Sequence, residues 1–305
     1  MNRPAPAGRR GRAAGQGFGG GGRIVSIMPP TRRDLFAAAA LLAPAQPKPG
    51  SVLFVRFEHQ GRISYGRVDG ERVQPLEGDL FAKPRAAGRA LPMSAVRLLY
   101  PCAPPKVLAV GRNYRSHLGS APAPKRPELF YKPTSCLQHP EAPIVIPPDA
   151  HNVHYEGELV IVIGRRCRRA TREEAAAAIF GYTCGNDVSE RDWQGGPDRD
   201  MQWWRAKGAD TFGPMGPAIA TGLDPQAGLL LETRLDGRTV QKQSTADLIF
   251  DCAECVAFAS RYVTLEPGDV IFTGTPGETR PMRPGSTVEV RIEGIGTLRN
   301  PVQAG

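Results

Sequence analysis

Two glutamates two residues apart, Glu156 and Glu158, head the run His154-Tyr155-Glu156-Gly157-Glu158-Leu159-Val160-Ile161-Val162-Ile163-Gly164. The second half of the run is Leu and β-branched residues ending at a Gly, the pattern of a strand buried on both faces. Side chains alternate along a strand, so the two carboxylates point the same way, roughly 7 Å apart. Ionised carboxylates side by side at the mouth of a buried strand repel each other and lose hydration. They need a compensating cation or a shared proton. The simplest compensation is a hard divalent ion, which takes oxygen ligands and leaves room for substrate. The competing reading is a strand end that emerges into water with both glutamates solvated.

The elements around this run must position it. After Glu158, Thr171-Arg172-Glu173-Glu174 reads as a capping box opening a helix from Glu173 to about Ile179, stopped by Gly181. The next strand, Tyr182 to Asp187, ends in a third acid. A strand–helix–strand order predicts parallel strands, which places Asp187 at the far end from the two glutamates and leaves its part in the site open. Upstream, Lys106 to Gly111 reads as a strand delivering the polar loop Arg112-Asn113-Tyr114-Arg115-Ser116-His117. Phe130–Lys132 and Ile144–Ile146 are further short strands. Downstream come hairpin strands turning at Asp236-Gly237, a helix-like stretch from Asp247 to Tyr262, and a strand Val270–Phe272 leading into Thr273-Gly274-Thr275-Pro276. Residues 51–57 and 61–68, with a turn at Asp69-Gly70, form a small β unit. Many short strands, few helices and abundant Gly/Pro turns predict an α+β, mostly β architecture. The expected division is a tail over residues 1–50, a small N-terminal β domain over 51–100 and a catalytic domain over 101–305.

Composition narrows the function classes. The 305 residues are 41% hydrophobic and 23% charged, ordinary for a globular chain, and no apolar run is long enough to span a bilayer. Stable membrane insertion is therefore not expected. The net charge of +9 sits mostly in the first fifty residues, where Arg3, Arg9, Arg10, Arg12, Arg23, Arg32, Arg33 and Lys48 face Asp34 alone. The remainder is nearly neutral, which argues against a nucleic-acid partner. Residues 1–27 are Gly-, Arg- and Ala-rich and are expected to be disordered. Their Gly15, Gly17 and Gly20 match G-x-G-x-x-G but lack the flanking strand and helix of a dinucleotide site. Thr31-Arg32-Arg33-Asp34-Leu35-Phe36, then a short apolar core and Ala43-Pro44-Ala45, resembles a twin-arginine export signal with Met28 as its start. Periplasmic export is the expectation, a cytoplasmic chain the alternative. The six cysteines are scattered, and Cys252-x-x-Cys255, with no second pair, reads as core.

Five blocks in order carry a resemblance. They are Gly111-x-Asn113-Tyr114-x-x-His117, Tyr155-Glu156-x-Glu158-Leu159-x-x-Val162-Ile163-Gly164, and Gly181-Tyr182-x-x-x-Asn186-Asp187-Val188-Ser189-x-Arg191-Asp192-x-Gln194. Lys207 ahead of Gly213-Pro214 and Pro267-Gly268-Asp269-Val270-Ile271-x-Thr273-Gly274-Thr275-Pro276 complete the set. Over about residues 104–303 the chain resembles the fumarylacetoacetate hydrolase family. The resemblance implies a mixed β-roll, often a homodimer, with Mg2+, Mn2+ or Ca2+ held by Glu156, Glu158 and Asp187. Zinc is disfavoured, because His151 and His154 would face opposite sides of an extended strand. The resemblance makes Lys207 the lysine that stabilises an enolate and His117 the general base. It gives Gln194, Thr275 and Arg112 to binding of a small 2-oxo acid. One departure stands out: many family members carry a Glu three residues after the His, and this chain has Ser120. A Ser cannot stabilise imidazolium as a carboxylate does. The expected activity is metal-dependent C–C hydrolysis of an acylpyruvate-like acid. Isomerisation or decarboxylation of a 2-oxo acid stays open as an alternative, and a non-catalytic metal-binding protein is the remaining one.

Overall fold

The protein was described from a computed structural model covering residues 41–42 and 48–305. The expectations for residues 1–27 and for Arg32-Arg33 lie outside the described residues. The long strands are β1 (Val52–His59), β2 (Arg62–Asp69), β3 (Arg72–Glu77), β4 (Val107–Gly111), β5 (Glu128–Lys132), β6 (Gly157–Ile163) and β7 (Ile179–Asn186). They continue with β8 (Gly213–Thr221), β9 (Leu230–Leu235), β10 (Arg238–Ser244), β11 (Val270–Phe272), β12 (Thr287–Ile292) and β13 (Gly296–Ala304). The helices are α1 (Arg115–Leu118), α2 (Arg172–Ala178), α3 (Arg191–Gly195), α4 (Trp204–Gly208) and α5 (Cys252–Tyr262). The α+β, mostly β class expected from the turn-rich sequence is what the chain forms.

In the larger sheet the long strands run β3-β2-β1-β8-β7-β6-β11-β4-β5. The N-terminal strands are hydrogen-bonded into it through antiparallel pairing of β1 with β8. After β5 the chain passes through Leu137–Gln138, which pairs in parallel with β8, so the sheet curls back on itself into a roll. A second sheet, Ile144–Ile146, β13, β12, β9 and β10, packs beside it.

β6 lies in the middle and is buried along its whole length. Its alternating side chains feed two separate cores. Leu159, Ile161 and Ile163 join the cluster with Leu53, Val55 and Val256, while Val160 and Val162 join Met215 and Phe272 inside the roll. Each such buried side chain contributes about 1.5–3 kcal/mol. Glu156 and Glu158 share the even-numbered positions of Val160 and Val162, and so head the strand on the side of the roll interior.

The parallel arrangement expected for β6 and β7 is not what forms. The two strands are antiparallel, with Gly157 opposite Asn186 and Ile163 opposite Ile179. The reason is length. α2 has seven residues and rises about 10 Å, whereas recrossing a seven-residue strand takes about 23 Å. The preceding loop is spent pairing Cys167 with Leu265. The helix is therefore an insertion in a hairpin rather than a crossover. Its capping box forms as expected: Thr171 Oγ1 accepts from Glu174 N–H and Glu174 Oε2 from Thr171 N–H. Antiparallel pairing brings the start of β6 beside the end of β7.

The stretch from Asp247 also differs from expectation. Thr245–Asp247 is a single 3-10 turn, and α5 begins only at Cys252, where the Asp251 side chain caps by accepting from Glu254 N–H. Cys252 and Cys255 are buried in the core, as read from the sequence.

Candidate metal and substrate site

Three carboxylates meet where β6 starts and β7 ends. Glu156 precedes β6, Glu158 is its second residue and Asp187 follows β7. Oxygens from the three lie within 4.8 Å of one another, and all three residues are buried. The hairpin pins them from both sides: Glu156 N–H donates to Asn186 Oδ1 at 2.8 Å, and Asp187 N–H to the Glu156 carbonyl at 2.9 Å. The residue between the glutamates is Gly157, where a Cβ would come 2.0 Å from Thr233 Oγ1.

Cations surround the acids unevenly. Lys207, on α4, donates from Nζ to Glu156 Oε2 at 2.5 Å and to Asp187 Oδ2 at 2.7 Å. Arg191, the first residue of α3, donates from Nη2 to Glu156 Oε1 at 2.5 Å and to Thr279 Oγ1 at 2.7 Å. Its Nη1 donates to Gln194 Oε1 at 2.6 Å. Lys132, at the end of β5, is buried and donates from Nζ to Asp187 Oδ1 at 2.6 Å, to the Phe212 carbonyl at 3.2 Å and to the Lys207 carbonyl. Among the described residues no side-chain cation sits at ion-pair distance from Glu158, which accepts from Gly274 N–H at 2.8 Å.

The acidities follow. Burial works to raise the Glu156 acid, but Lys207, Arg191 and His117 outweigh it and hold it below its ordinary value. Burial, then the charges of Asp187 and Glu156, push Glu158 well above the carboxylate range. Burial works to lower the Lys132 ammonium, yet Asp187 keeps it raised and so charged. Three buried oxygen donors, one of them short of a cation, are the donor set a hard divalent ion prefers.

β4 and β11 are parallel, so the loops that leave them emerge together. Asn113 joins the two: its Nδ2 donates to the Thr273 carbonyl at 2.8 Å and to the Phe250 carbonyl at 3.0 Å, and its Oδ1 accepts from Phe250 N–H at 2.8 Å. Gly274, at φ +100°, lies so close that a Cβ there would be 2.8 Å from Asn113 Cβ. On the first loop, α1 carries His117, whose Nδ1 meets the Gly277 carbonyl at 2.6 Å. A carbonyl only accepts, so Nδ1 carries the proton and Nε2 is the basic nitrogen.

The remaining candidates from the sequence are placed differently. Ser120 is exposed, and the contact that holds the imidazole comes from Gly277. Thr275 Oγ1 donates to the Gly157 carbonyl at 2.9 Å and accepts from Gln241 Nε2 at 2.8 Å, so its hydroxyl braces the turn against β6. Arg112 is exposed; its guanidinium donates to the Pro122 carbonyl at 3.1 Å and lies 3.6 Å from Glu128. Gln194 reaches the site by way of Arg191. His154 has both ring nitrogens engaged, by Thr279 Oγ1 and Asn152 Oδ1.

Sequence reasoning missed Lys132 and Arg191 as members of this cluster. Arg191 lies in the Asn186-Asp187-Val188-Ser189-x-Arg191-Asp192 motif, where its charge is a usable signal. Lys132 gave none, since a Lys ending a short strand ordinarily reads as solvated.

Residues 106–303 match the model of the fumarylacetoacetate (FAA) hydrolase C-terminal domain, and residues 53–101 match an N-terminal module named Rv2993c-like. The chain belongs to the fumarylacetoacetate hydrolase family. Protein Rv2993c of Mycobacterium tuberculosis is 44% identical over 252 residues, 79% of this chain and 94% of that one. The mitochondrial oxaloacetate tautomerase FAHD2A of Bos taurus is 38% identical over 225 residues, covering 70% of this chain and 71% of the relative. Among solved structures, 2-hydroxyhepta-2,4-diene-1,7-dioate isomerase from Mycobacterium marinum aligns with TM-score 0.77 at 40% identity, covering 83% of this chain and 98% of that one. Maleylpyruvate hydrolase from Sphingobium, in complex with manganese (II) ion and pyruvate, aligns with TM-score 0.69 at 28% identity, covering 83% and 99%. The fumarylacetoacetate hydrolase family thus includes hydrolases, isomerases and tautomerases, and this chain is an enzyme of that family.

The relatives correct one expectation. Periplasmic export by a twin-arginine route is overturned by similarity to relatives named as mitochondrial enzymes, FAHD2A of Bos taurus among them. The Arg-Arg motif that suggested it lies outside the described residues.

Proposed function

We propose that this enzyme interconverts the keto and enol forms of a small 2-oxo acid, with a divalent ion as cofactor. The observation that carries the reading is the contact between His117 Nδ1 and the Gly277 carbonyl. It leaves Nε2 as the basic nitrogen, and the imidazole stands close enough to Glu156 that its charged form helps to depress that acid. A carbonyl orients an imidazole but does not neutralise imidazolium, so the ring suits moving a proton between carbon and oxygen. Sustained activation of water is better served by a carboxylate, and Ser120 stands where many family members carry one.

Glu156, Glu158 and Asp187 would hold the ion, Mg2+ or Mn2+ by the all-oxygen donor set. When bound, it supplies Lewis-acid charge to a 2-oxo carboxylate. The protein's own groups do the rest. His117 Nε2 takes the proton from C3 of the substrate, the C3–H electrons form the C2–C3 double bond, and the 2-oxo oxygen gains negative charge. Lys207 stabilises that charge. Return of the proton to oxygen gives the enol, and return to carbon restores the ketone. Arg191, holding Gln194, presents guanidinium and amide to the substrate carboxylates.

A second reading, hydrolysis of an acylpyruvate-like acid, is favoured by the likeness to the maleylpyruvate hydrolase. The experiment follows enol absorbance of oxaloacetate and of an acylpyruvate with metal-stripped protein, with and without Mg2+ or Mn2+, beside Glu158→Ala. Metal-dependent equilibration of oxaloacetate that Glu158→Ala abolishes is the expected result. Release of pyruvate from the acylpyruvate, with no acceleration of oxaloacetate tautomerisation, would replace the first reading by the second.

A further inference from the structure

Val153–His154 is a two-residue strand between two neighbours that both lead to Arg191. On one side it pairs with Ser189–Glu190, which runs directly into Arg191. On the other, His154 bridges to Pro281 and Met282 N–H donates to the Val153 carbonyl at 2.8 Å, which fixes the segment carrying Thr279. The side chains form one chain of hydrogen bonds from Asp192 to Glu156. Asn152 Nδ2 meets Asp192 Oδ1 at 2.9 Å, and Asn152 Oδ1 meets His154 Nε2 at 2.8 Å. His154 Nδ1 meets Thr279 Oγ1 at 2.9 Å, Thr279 Oγ1 meets Arg191 Nη2 at 2.7 Å, and Nη2 meets Glu156 Oε1 at 2.5 Å.

The direction of every bond follows from the two ends. A carboxylate accepts, so the Asn152 amide nitrogen faces Asp192 and its oxygen faces His154, which must donate from Nε2. A guanidinium donates, so Thr279 Oγ1 accepts from Arg191, and a neutral ring with its proton on Nε2 leaves Nδ1 to accept the Thr279 proton. The Asn152 end selects the tautomer with the proton on Nε2, and in that neutral ring Nδ1 is the acceptor for Thr279. A protonated Nδ1 would instead donate to the hydroxyl and leave its proton free to turn elsewhere.

We propose that His154 is a positioning residue: by accepting the Thr279 proton it turns the hydroxyl lone pairs toward Arg191, and so fixes the guanidinium that holds Glu156 and Gln194. The proposal rests on the reading of this site as one that binds a 2-oxo acid, because the consequence is a preset anion clamp for the substrate carboxylate. It gives a function to a histidine that does not reach the acids itself.

The test uses the full chain loaded with Mg2+. Imidazole nitrogen shifts in an NMR spectrum read the His154 tautomer directly, and a proton on Nε2 alone is expected; a proton on Nδ1 overturns the proposal. Oxalate, a rigid mimic of a 2-oxo acid enolate, serves as the binding probe, with affinity measured by calorimetry. Thr279→Val and His154→Leu should weaken oxalate about tenfold, the scale of a hydrogen bond to a charged group, while Thr279→Ser, which keeps the hydroxyl, stays within about threefold of the unmodified protein. Mg2+ affinity should stay within about threefold in all of them. Oxalate binding by Thr279→Val equal to the unmodified protein, or loss in Thr279→Ser as great as in Thr279→Val, overturns the proposal. If the unmodified protein neither binds oxalate nor turns over a 2-oxo acid, the functional reading fails on its own. The guanidinium signal of Arg191 then still decides the positioning role: sharp in the unmodified protein and Thr279→Ser, and broadened in Thr279→Val if the proposal holds. An unchanged signal in Thr279→Val overturns it.

Discussion

Lys132 and Asp187, fifty-five residues apart, meet inside the roll at 2.6 Å, while the other oxygen of Asp187 accepts from Lys207 at 2.7 Å. The same Lys132 ammonium accepts nothing and donates to the backbone carbonyls of Lys207 and Phe212. One buried charge thus ties the third carboxylate of the cluster to the backbone that carries Lys207.

Replacing Lys132 by Met keeps the length and removes the charge. It leaves two buried carbonyls without a donor and Asp187 with one cation in place of two. Breaking a buried ion pair from one side costs about 3–5 kcal/mol. A loss near the lower end is expected, because Lys207 still faces Asp187. Lys132→Arg should not restore stability, since a planar fork does not match three acceptors around one ammonium. Denaturant unfolding measures both. A Met variant as stable as the unmodified protein would show that Lys132 is not needed to brace the cluster.

Glu158 should make stability depend on pH and on metal in a particular direction. Burial and its acidic neighbours raise its acid well above the ordinary value of 4.5. For a raised acid, the folded state binds the proton more tightly than the unfolded state. The stabilisation is complete below the ordinary value and is lost as pH rises through the raised one. Metal-free protein should therefore lose stability on this account from weakly acidic toward alkaline pH, and Glu158→Gln should lack that component. The Gln variant should be the more stable of the two at pH 8 without metal and the less stable with saturating Mg2+. Thermal unfolding of both proteins at pH 6 and pH 8, with Mg2+ or with chelator, reads the crossover. Parallel curves in all four conditions would mean that Glu158 neither carries this strain nor meets a cation.

The sequence made β6 legible because an unbroken β-branched run has few other fates, and the strand is indeed buried on both faces. Strand order alone left the third acid unplaced, although the family resemblance gave Asp187 to the metal, and the reason is physical. The β–α–β order suggested a crossover, and only the shortness of α2 together with the Cys167–Leu265 pairing turns the unit into a hairpin that brings Asp187 to Glu156. Arg112 looked available as an anion binder by its place after β4. Its backbone sits at φ +59°, and the guanidinium reaches Pro122 and Glu128. The orienting partner of His117 could not be read at all, because Gly277 is 160 residues away and acts through a backbone carbonyl that any residue could supply.

That carbonyl determines what changes at His117 and Ser120 should do. His117→Gln removes the only base proposed for proton transfer and should lower the tautomerisation rate about 10²–10⁴-fold, with Mg2+ affinity unchanged. Ser120→Glu adds a carboxylate near a ring whose Nδ1 proton already goes to Gly277. The new acid must displace that 2.6 Å contact to act. Acylpyruvate cleavage should therefore rise less than about threefold in Ser120→Glu, well short of the factor a general base supplies. A gain above tenfold would mean that the loop yields to the new acid and that water activation was limited by its absence.

Gly157 and Thr233 offer a test of how closely the second sheet is fitted against the carboxylates. A Cβ on residue 157 would lie 2.0 Å from Thr233 Oγ1 but 3.3 Å from Thr233 Cβ, so the conflict is almost wholly with the hydroxyl. Among the described residues that hydroxyl has no hydrogen-bond partner, which makes it removable at little cost. Gly157→Ala alone should destabilise by about 1–3 kcal/mol, as overpacking in a dense interior does, and should weaken metal binding because the two flanking glutamates must shift. Thr233→Ala alone should be nearly neutral. Adding it to Gly157→Ala should recover most of the loss, giving a coupling energy of about 1–2 kcal/mol between the two sites. Thr233→Val, which keeps a branch where the oxygen was, should not rescue. Equal destabilisation of Gly157→Ala with and without Thr233→Ala would place the conflict elsewhere, the Gln241 amide 3.2 Å from the same Cβ position being the remaining contact.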